Sequence, residues 1–209
     1  MKNLLLPSIL ICALPAWGAT IYQNTTTDTG LTAVYSALGV SEIGDRILLT
    51  AGNSSEISVQ FYNLTNSIGT FDILLRVLDA GLTELGTFSA SGMPAFAASI
   101  TTVSFSTFGL PVPNEVIIMV SISNQSAGID LGLNLFDPPT IGSSLNTELW
   151  VNDGTVHSVA TGIGEGNLYL QVDVDAVPEP STLALMVTGT LVMLGLRRRR
   201  RSTGAEPGR

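Results

Sequence analysis

In the stretch GTFDILLRVLD, residues 69–79, Phe71, Ile73, Leu75 and Val77 form one alternating set and Asp72, Leu74, Arg76 and Leu78 the other. A period of two fits an extended strand, whose successive side chains point to opposite faces, and does not fit a helix. The pattern recurs along the chain. SEISVQFYN sets Ile57, Val59 and Phe61 against Ser58, Gln60 and Tyr62, and ITTVSFSTF sets Val103 and Phe105 against Ser104 and Ser106. NEVIIMVSIS offers Val116, Ile118, Val120 and Ile122; GIDLGLNLF offers Ile129, Leu131, Leu133 and Leu135. GNLYLQVDVDAV offers Leu168, Leu170, Val172 and Val174, with Tyr169, Gln171, Asp173 and Asp175 facing away. With DRILLTAG around Ile47 and TELWVND around Trp150, this makes about eight strands, and VHSVA, residues 156–160, supplies a ninth.

Short strands separated by Gly, Asn, Ser and Pro predict an all-β, antiparallel β-sandwich. A jelly roll is the leading expectation and an immunoglobulin-like sandwich the alternative. LTAVYSALG, residues 31–39, suits a short helix and a strand equally. The N-terminal segment has Lys2, an apolar run from Leu4 to Leu14 and then small residues, the layout of a signal peptide. Cleavage after Gly18 places Ala16 at −3 and Gly18 at −1, so residues 1–18 are assigned to it. The only cysteine, Cys12, lies inside it, which leaves the mature chain without disulfides or cysteine metal sites. The ectodomain, residues 19–177, is long enough for one domain with a real core. It holds two basic residues, Arg46 and Arg76, against fifteen acids, a net charge of −13. Such a surface repels nucleic acid and anionic lipid, because phosphate binding needs clustered Lys and Arg.

The residues offer little for catalysis. The one histidine, His157, is expected as an exposed strand residue rather than the base of a triad. One His and no Cys give no zinc set. Asp173 and Asp175 are read as a solvated strand face rather than an acid/base pair. The NDG at Asn152–Gly154 reads as a tight hairpin turn and not a calcium loop. GIGEGN, residues 162–167, lacks the Lys and helix of a phosphate loop. No catalytic residue, metal or cofactor is therefore assigned, and the chain is expected not to be an enzyme. Trp150, with Asn146, Asn152 and Asp153 near it in sequence, is the candidate glycan contact. Against that stands a packing role for the indole. The sequons at Asn24, Asn53, Asn63 and Asn124 are read as surface turns.

From Ser181 to Leu196 the chain is uncharged, and Arg197, Arg198, Arg199, Arg200 and Arg201 follow at once. Sixteen helical residues span about 24 Å, short of the roughly 30 Å hydrocarbon core but able to cross a thinned bilayer. The arginines stay cytoplasmic by the positive-inside rule, which puts the β-rich part outside. Residues 181–196 are thus expected to be a transmembrane helix and 202–209 a polar cytoplasmic tail. Pro178, Glu179 and Pro180 precede the helix in an extended segment.

Pro-Glu-Pro, a short apolar helix and an arginine cluster, in that order over residues 178–201, resemble the PEP-CTERM sorting signal of Gram-negative bacteria. The resemblance implies processing by signal peptidase and a membrane-embedded exosortase, with Pro178, Glu179 and Pro180 as the recognition motif. It also implies transient membrane insertion and delivery to the cell surface or an exopolysaccharide matrix. SEIGDRILLTAG and FDPPTIGSSLNTELWVNDG are similar to segments of a β-rich ectodomain found with such signals, which implies the fold and no activity. The expected role is structural or adhesive in exopolysaccharide or biofilm. The alternatives are a carbohydrate-binding module and, below it, a glycoside hydrolase or lyase.

Overall fold

The computed structural model describes residues 18–145, 147–161 and 166–175, together with Thr190. The segments expected to be a signal peptide (all but Gly18), a sorting motif and a transmembrane helix (all but Thr190) lie outside the described residues, as does Asn146. Among the described residues no helix is long and apolar enough to cross a membrane. Residues 18–175 form one compact unit. Its elements are β1 (Ala19–Asn24), β2 (Asp28–Val34), α1 (Tyr35–Leu38), β3 (Glu42–Leu48), β4 (Gly52–Asn63), β5 (Gly69–Asp79), β6 (Glu84–Ala95) and β7 (Ile100–Val112). They continue with β8 (Glu115–Ser123), β9 (Leu131–Phe136), β10 (Ser143–Ser144), β11 (Glu148–Asn152), β12 (His157–Thr161), β13 (Asn167–Leu168) and β14 (Leu170–Val174).

The strands make two antiparallel sheets. In the first, β4 is central: β7 pairs along one edge, and β14 then β9 pair along the other. Beyond them lie β1 on β14 and β2 on β9. The second runs β12-β11-β3-β8-β5-β6, with β10 against β3. The chain changes sheets between β2 and β3, β3 and β4, β4 and β5, β6 and β7, β7 and β8, β8 and β9, β9 and β10, and β12 and β13.

The alternating sets place the core. Phe71, Ile73, Leu75 and Val77 of the second sheet share one apolar cluster with Ile57, Val59 and Phe61 of the first. Phe61 and Phe71 meet across the layers with ring centroids 5.2 Å apart. Each such side chain contributes about 1.5–3 kcal/mol when fully buried, so these stripes decide which face of each sheet turns inward. LTAVYSALG satisfies both readings: β2 runs to Val34, one helical turn follows, and Gly39 closes it at φ 65° with its N–H bonded to the Tyr35 carbonyl.

Several expectations are corrected. β9 is buried on both faces. Leu131, Leu133 and Leu135 turn inward as expected. On the other face, the Thr32 methyl crowds Gly132, Asn134 bonds Gln60 and Thr32, and Tyr169 meets Phe136 edge-on. In β8, the outward Ile117 and Met119 are also buried, in a small second cluster with Leu78. β1 and β6 carry no clear alternation of large apolar residues and form strands because β14 and β5 pair with them. Two sequon asparagines are not surface residues. Asn24 is fully buried, donating to the Phe136 and Leu168 carbonyls at 3.0 and 3.1 Å. Asn63 is 1% exposed and donates to the Ser67 and Phe96 carbonyls.

Candidate functional site

Trp150 stands on the outer face of the second sheet, where register places it opposite Gly44 of β3. Gly44 leaves a slot there. A Cβ on it would come within 2.3 Å of the Met119 sulfur and 2.5 Å of the Ile118 carbonyl oxygen. The half-buried indole packs against Leu78, Ile117 and Met119, with its Nε1 buried and unpaired. Sheet packing is therefore what this tryptophan does within the domain.

One row further along the same face, four strands contribute to a polar knot. Register sets Asn152 beside both Glu42 and His157. The Glu42 carboxylate, 8% exposed, takes Arg76 in a fork, Nε to Oε1 at 2.9 Å and Nη2 to Oε2 at 2.5 Å. Asn152 Nδ2 donates to Oε2 at 2.8 Å. Arg76 Nη2 also lies 3.0 Å from His157 Nε2. A guanidinium only donates, so Nε2 is the acceptor in this contact, and Glu42 Oε2 lies 3.5 Å from the same nitrogen. His157 is thus a half-buried member of this knot, which corrects the expected exposed strand residue.

Asp153 is engaged within its own turn. The β11–β12 loop is four residues long, residues 153–156, longer than the tight turn expected. Asp153 Oδ1 accepts from the N–H groups of Thr155 and Val156 and from the Thr155 hydroxyl. These bonds, the hydroxyl first, hold its carboxyl down at about 2. The Asn152 Oδ1 accepts from Gly154 N. The chain therefore brings Trp150, Asn152 and Asp153 to one hairpin, where Asp153 and the Asn152 oxygen brace the turn and the Asn152 Nδ2 ties it to Glu42 of β3. Asp173 takes bonds from the Thr20 hydroxyl and Gln171 Nε2 on the first sheet, and Asp175 lies beyond the strand end.

A second polar centre has no counterpart in the sequence reading. Asp45 alternates inward with Ile43 and Ile47 and is 1% exposed. It accepts from the Ser144 hydroxyl at 2.7 Å and from Leu168 N at 3.0 Å, which ties β3 and β10 to β13 across the two sheets. Burial pushes its carboxyl up to about 7, against the pull of those bonds. Burial foremost, and then the Asp45 charge, raise the nearby Tyr22 hydroxyl. Beside Asp45 lies a cavity of about 410 Å³ bordered by Arg46, Leu48, Glu115, Leu145 and Glu148, with Arg46 and Glu115 paired at its side. Among the described residues no group of three His, Cys, Asp or Glu side chains is placed to hold a metal ion.

Residues 176–201 match the family model of the PEP-CTERM protein-sorting motif. The chain carries a PEP-CTERM signal. That match takes in Pro178, Glu179, Pro180 and Arg197 to Arg201, all outside the described residues. The motif implies an exported protein that crosses the membrane and is sorted by an exosortase. No curated protein matches the chain.

Proposed function

We propose that this chain is an exported, non-enzymatic protein of the cell surface or extracellular matrix, structural or adhesive in exopolysaccharide. The observation that carries the reading is the sorting match at residues 176–201, directly behind a β-rich unit that ends at Asp175. In this reading signal peptidase removes residues 1–18. Residues 181–196 hold the chain in the membrane, with Arg197 to Arg201 on the cytoplasmic side, while exosortase acts at Pro178-Glu179-Pro180. The non-enzymatic reading is supported by the site chemistry: the polar groups of Glu42, Arg76 and His157 are spent on one another. Repeated passage between the sheets supports the jelly-roll form of the fold.

The test is cell fractionation of an epitope-tagged chain beside its variant with Pro178, Glu179 and Pro180 all replaced by Ala. The native chain is expected in the surface and matrix fractions, with the variant retained in the cytoplasmic membrane. Equal cytoplasmic recovery of both would refute the reading. Carbohydrate binding is the second reading, and the outer face of the first sheet favours it.

A further inference from the structure

The outer face of the first sheet carries a row of polar side chains that crosses four strands, in which Thr102, Gln60 and Thr32 reach solvent and Asn134, 5% exposed, braces Gln60 from beneath. Gln60 of β4 donates from Nε2 to the Thr102 hydroxyl of β7 at 3.4 Å. Its Oε1 accepts from Asn134 Nδ2 of β9 at 2.9 Å. The Asn134 Oδ1 in turn accepts from the Thr32 hydroxyl of β2 at 3.3 Å. Three inter-strand gaps of about 4.8 Å make this row about 14 Å long, the length of a short oligosaccharide. The chain of bonds fixes both amides in one orientation. It leaves the second Nε2 proton of Gln60 and the Thr102 hydroxyl proton for a ligand. The next row continues the surface with Ser104 and Gln171, and the nearly buried Ser58 between them holds its hydroxyl 2.7 Å from that of Ser104.

Two aromatic side chains flank the row. Tyr62 stands two residues beyond Gln60 on the same face, opposite Ile100 on β7, which is 50% exposed, and Gly132 on β9. Tyr169 lies on the other side, its N–H bonded to the Asn134 carbonyl and its ring against Phe136. Both tyrosines are partly exposed, whereas Tyr22 is fully buried and the Tyr35 hydroxyl is bonded to the Val120 carbonyl. The charge on this face is one-sided. Glu56 and Asp173 lie on it, while both arginines of the unit, Arg46 and Arg76, sit on the second sheet.

We propose that this face binds a neutral polysaccharide. The ordered Gln60 amide and the exposed hydroxyls around it match sugar hydroxyls, and tyrosine rings beside them suit the apolar faces of pyranose rings. Two carboxylates without a cation select against uronate-rich or sulfated chains. The hairpin of Trp150 is the weaker platform, because its amide and carboxylate are already bonded internally. The inference rests on the proposed matrix role and gives it a contact surface.

Affinity electrophoresis of the full chain tests it. The gels contain hydroxyethylcellulose, galactomannan or xylan as neutral probes, and alginate or polygalacturonate as anionic ones. Retardation is expected in at least one neutral gel and in neither anionic gel. Gln60→Ala, Tyr62→Ala and Tyr169→Ala are each expected to weaken it about tenfold, with melting temperatures kept near the native value. Ser89→Ala, on the other sheet, is expected to change nothing. Retardation that survives all three variants overturns the site, as does retardation by the anionic gels alone. No retardation in any neutral gel overturns the glycan assignment. Fractionation reads the surface location separately, so the matrix role can stand while this inference falls. If one variant unfolds, the other two still decide.

Discussion

Asp45 is held by a balance that pH can tip. Its folded carboxyl titrates at about 7 against an ordinary 3.8, so between those values the folded chain keeps a proton that the unfolded chain releases. The stability from this group is complete below about pH 4 and is lost as pH rises through 7. The steepest loss is about 1.4 kcal/mol per pH unit. Asn at this position has no such proton to lose. Between pH 4.5 and 7.5 the urea midpoint of the native chain is expected to fall relative to that of Asp45→Asn. Parallel midpoints would contradict the assignment. Gly44 is equally local. The added methyl of Gly44→Ala meets the Ile118 carbonyl oxygen, part of the β8 backbone and unable to rotate away. The expected loss is about 2 kcal/mol, read as a lowered melting temperature, with no loss expected for Ser89→Ala.

At the scale of elements, the knot of Glu42, Arg76, Asn152 and His157 ties β3, β5, β11 and β12 together on the outer face of the second sheet. Arg76→Ala strands a nearly buried carboxylate and is expected to cost about 3 kcal/mol. Replacing Glu42 by Leu together with Arg76 by Met removes both charges and is expected to restore most of that loss. A double variant as unstable as the single one, by urea denaturation, would mean that the bonds themselves are needed. The sequence made the facing of many residues legible, because period two separates Gln60, Tyr62 and Gln171 from Phe61 and Val172. It did not reveal which of them meet. Gln60 and Asn134 are 74 positions apart and Glu42 and Arg76 are 34 apart. Such pairings depend on strand order and register, which alternation leaves open. Burial on both faces of β9 was hidden for the same reason, since its cover comes from β2, β4 and Tyr169. The Trp150 slot was hidden because its floor is Gly44, a residue without a side chain.

For the whole molecule, two levels of information separate cleanly. The sorting signal was legible as a linear order of residue types, Pro-Glu-Pro, apolar run and arginines, and needed no tertiary structure. The β unit gave its fold class through alternation. The polar row proposed to bind glycan appears only when four strands align. Charge follows the same division: the unit that ends at Asp175 is acidic, and five arginines stand at 197–201. Intact mass of the protein recovered from the cell surface tests this account most directly. The predicted species starts at Ala19, ends close to Pro180 and lacks the arginine cluster; a surface protein with the mass of a chain running to Arg209 would contradict it.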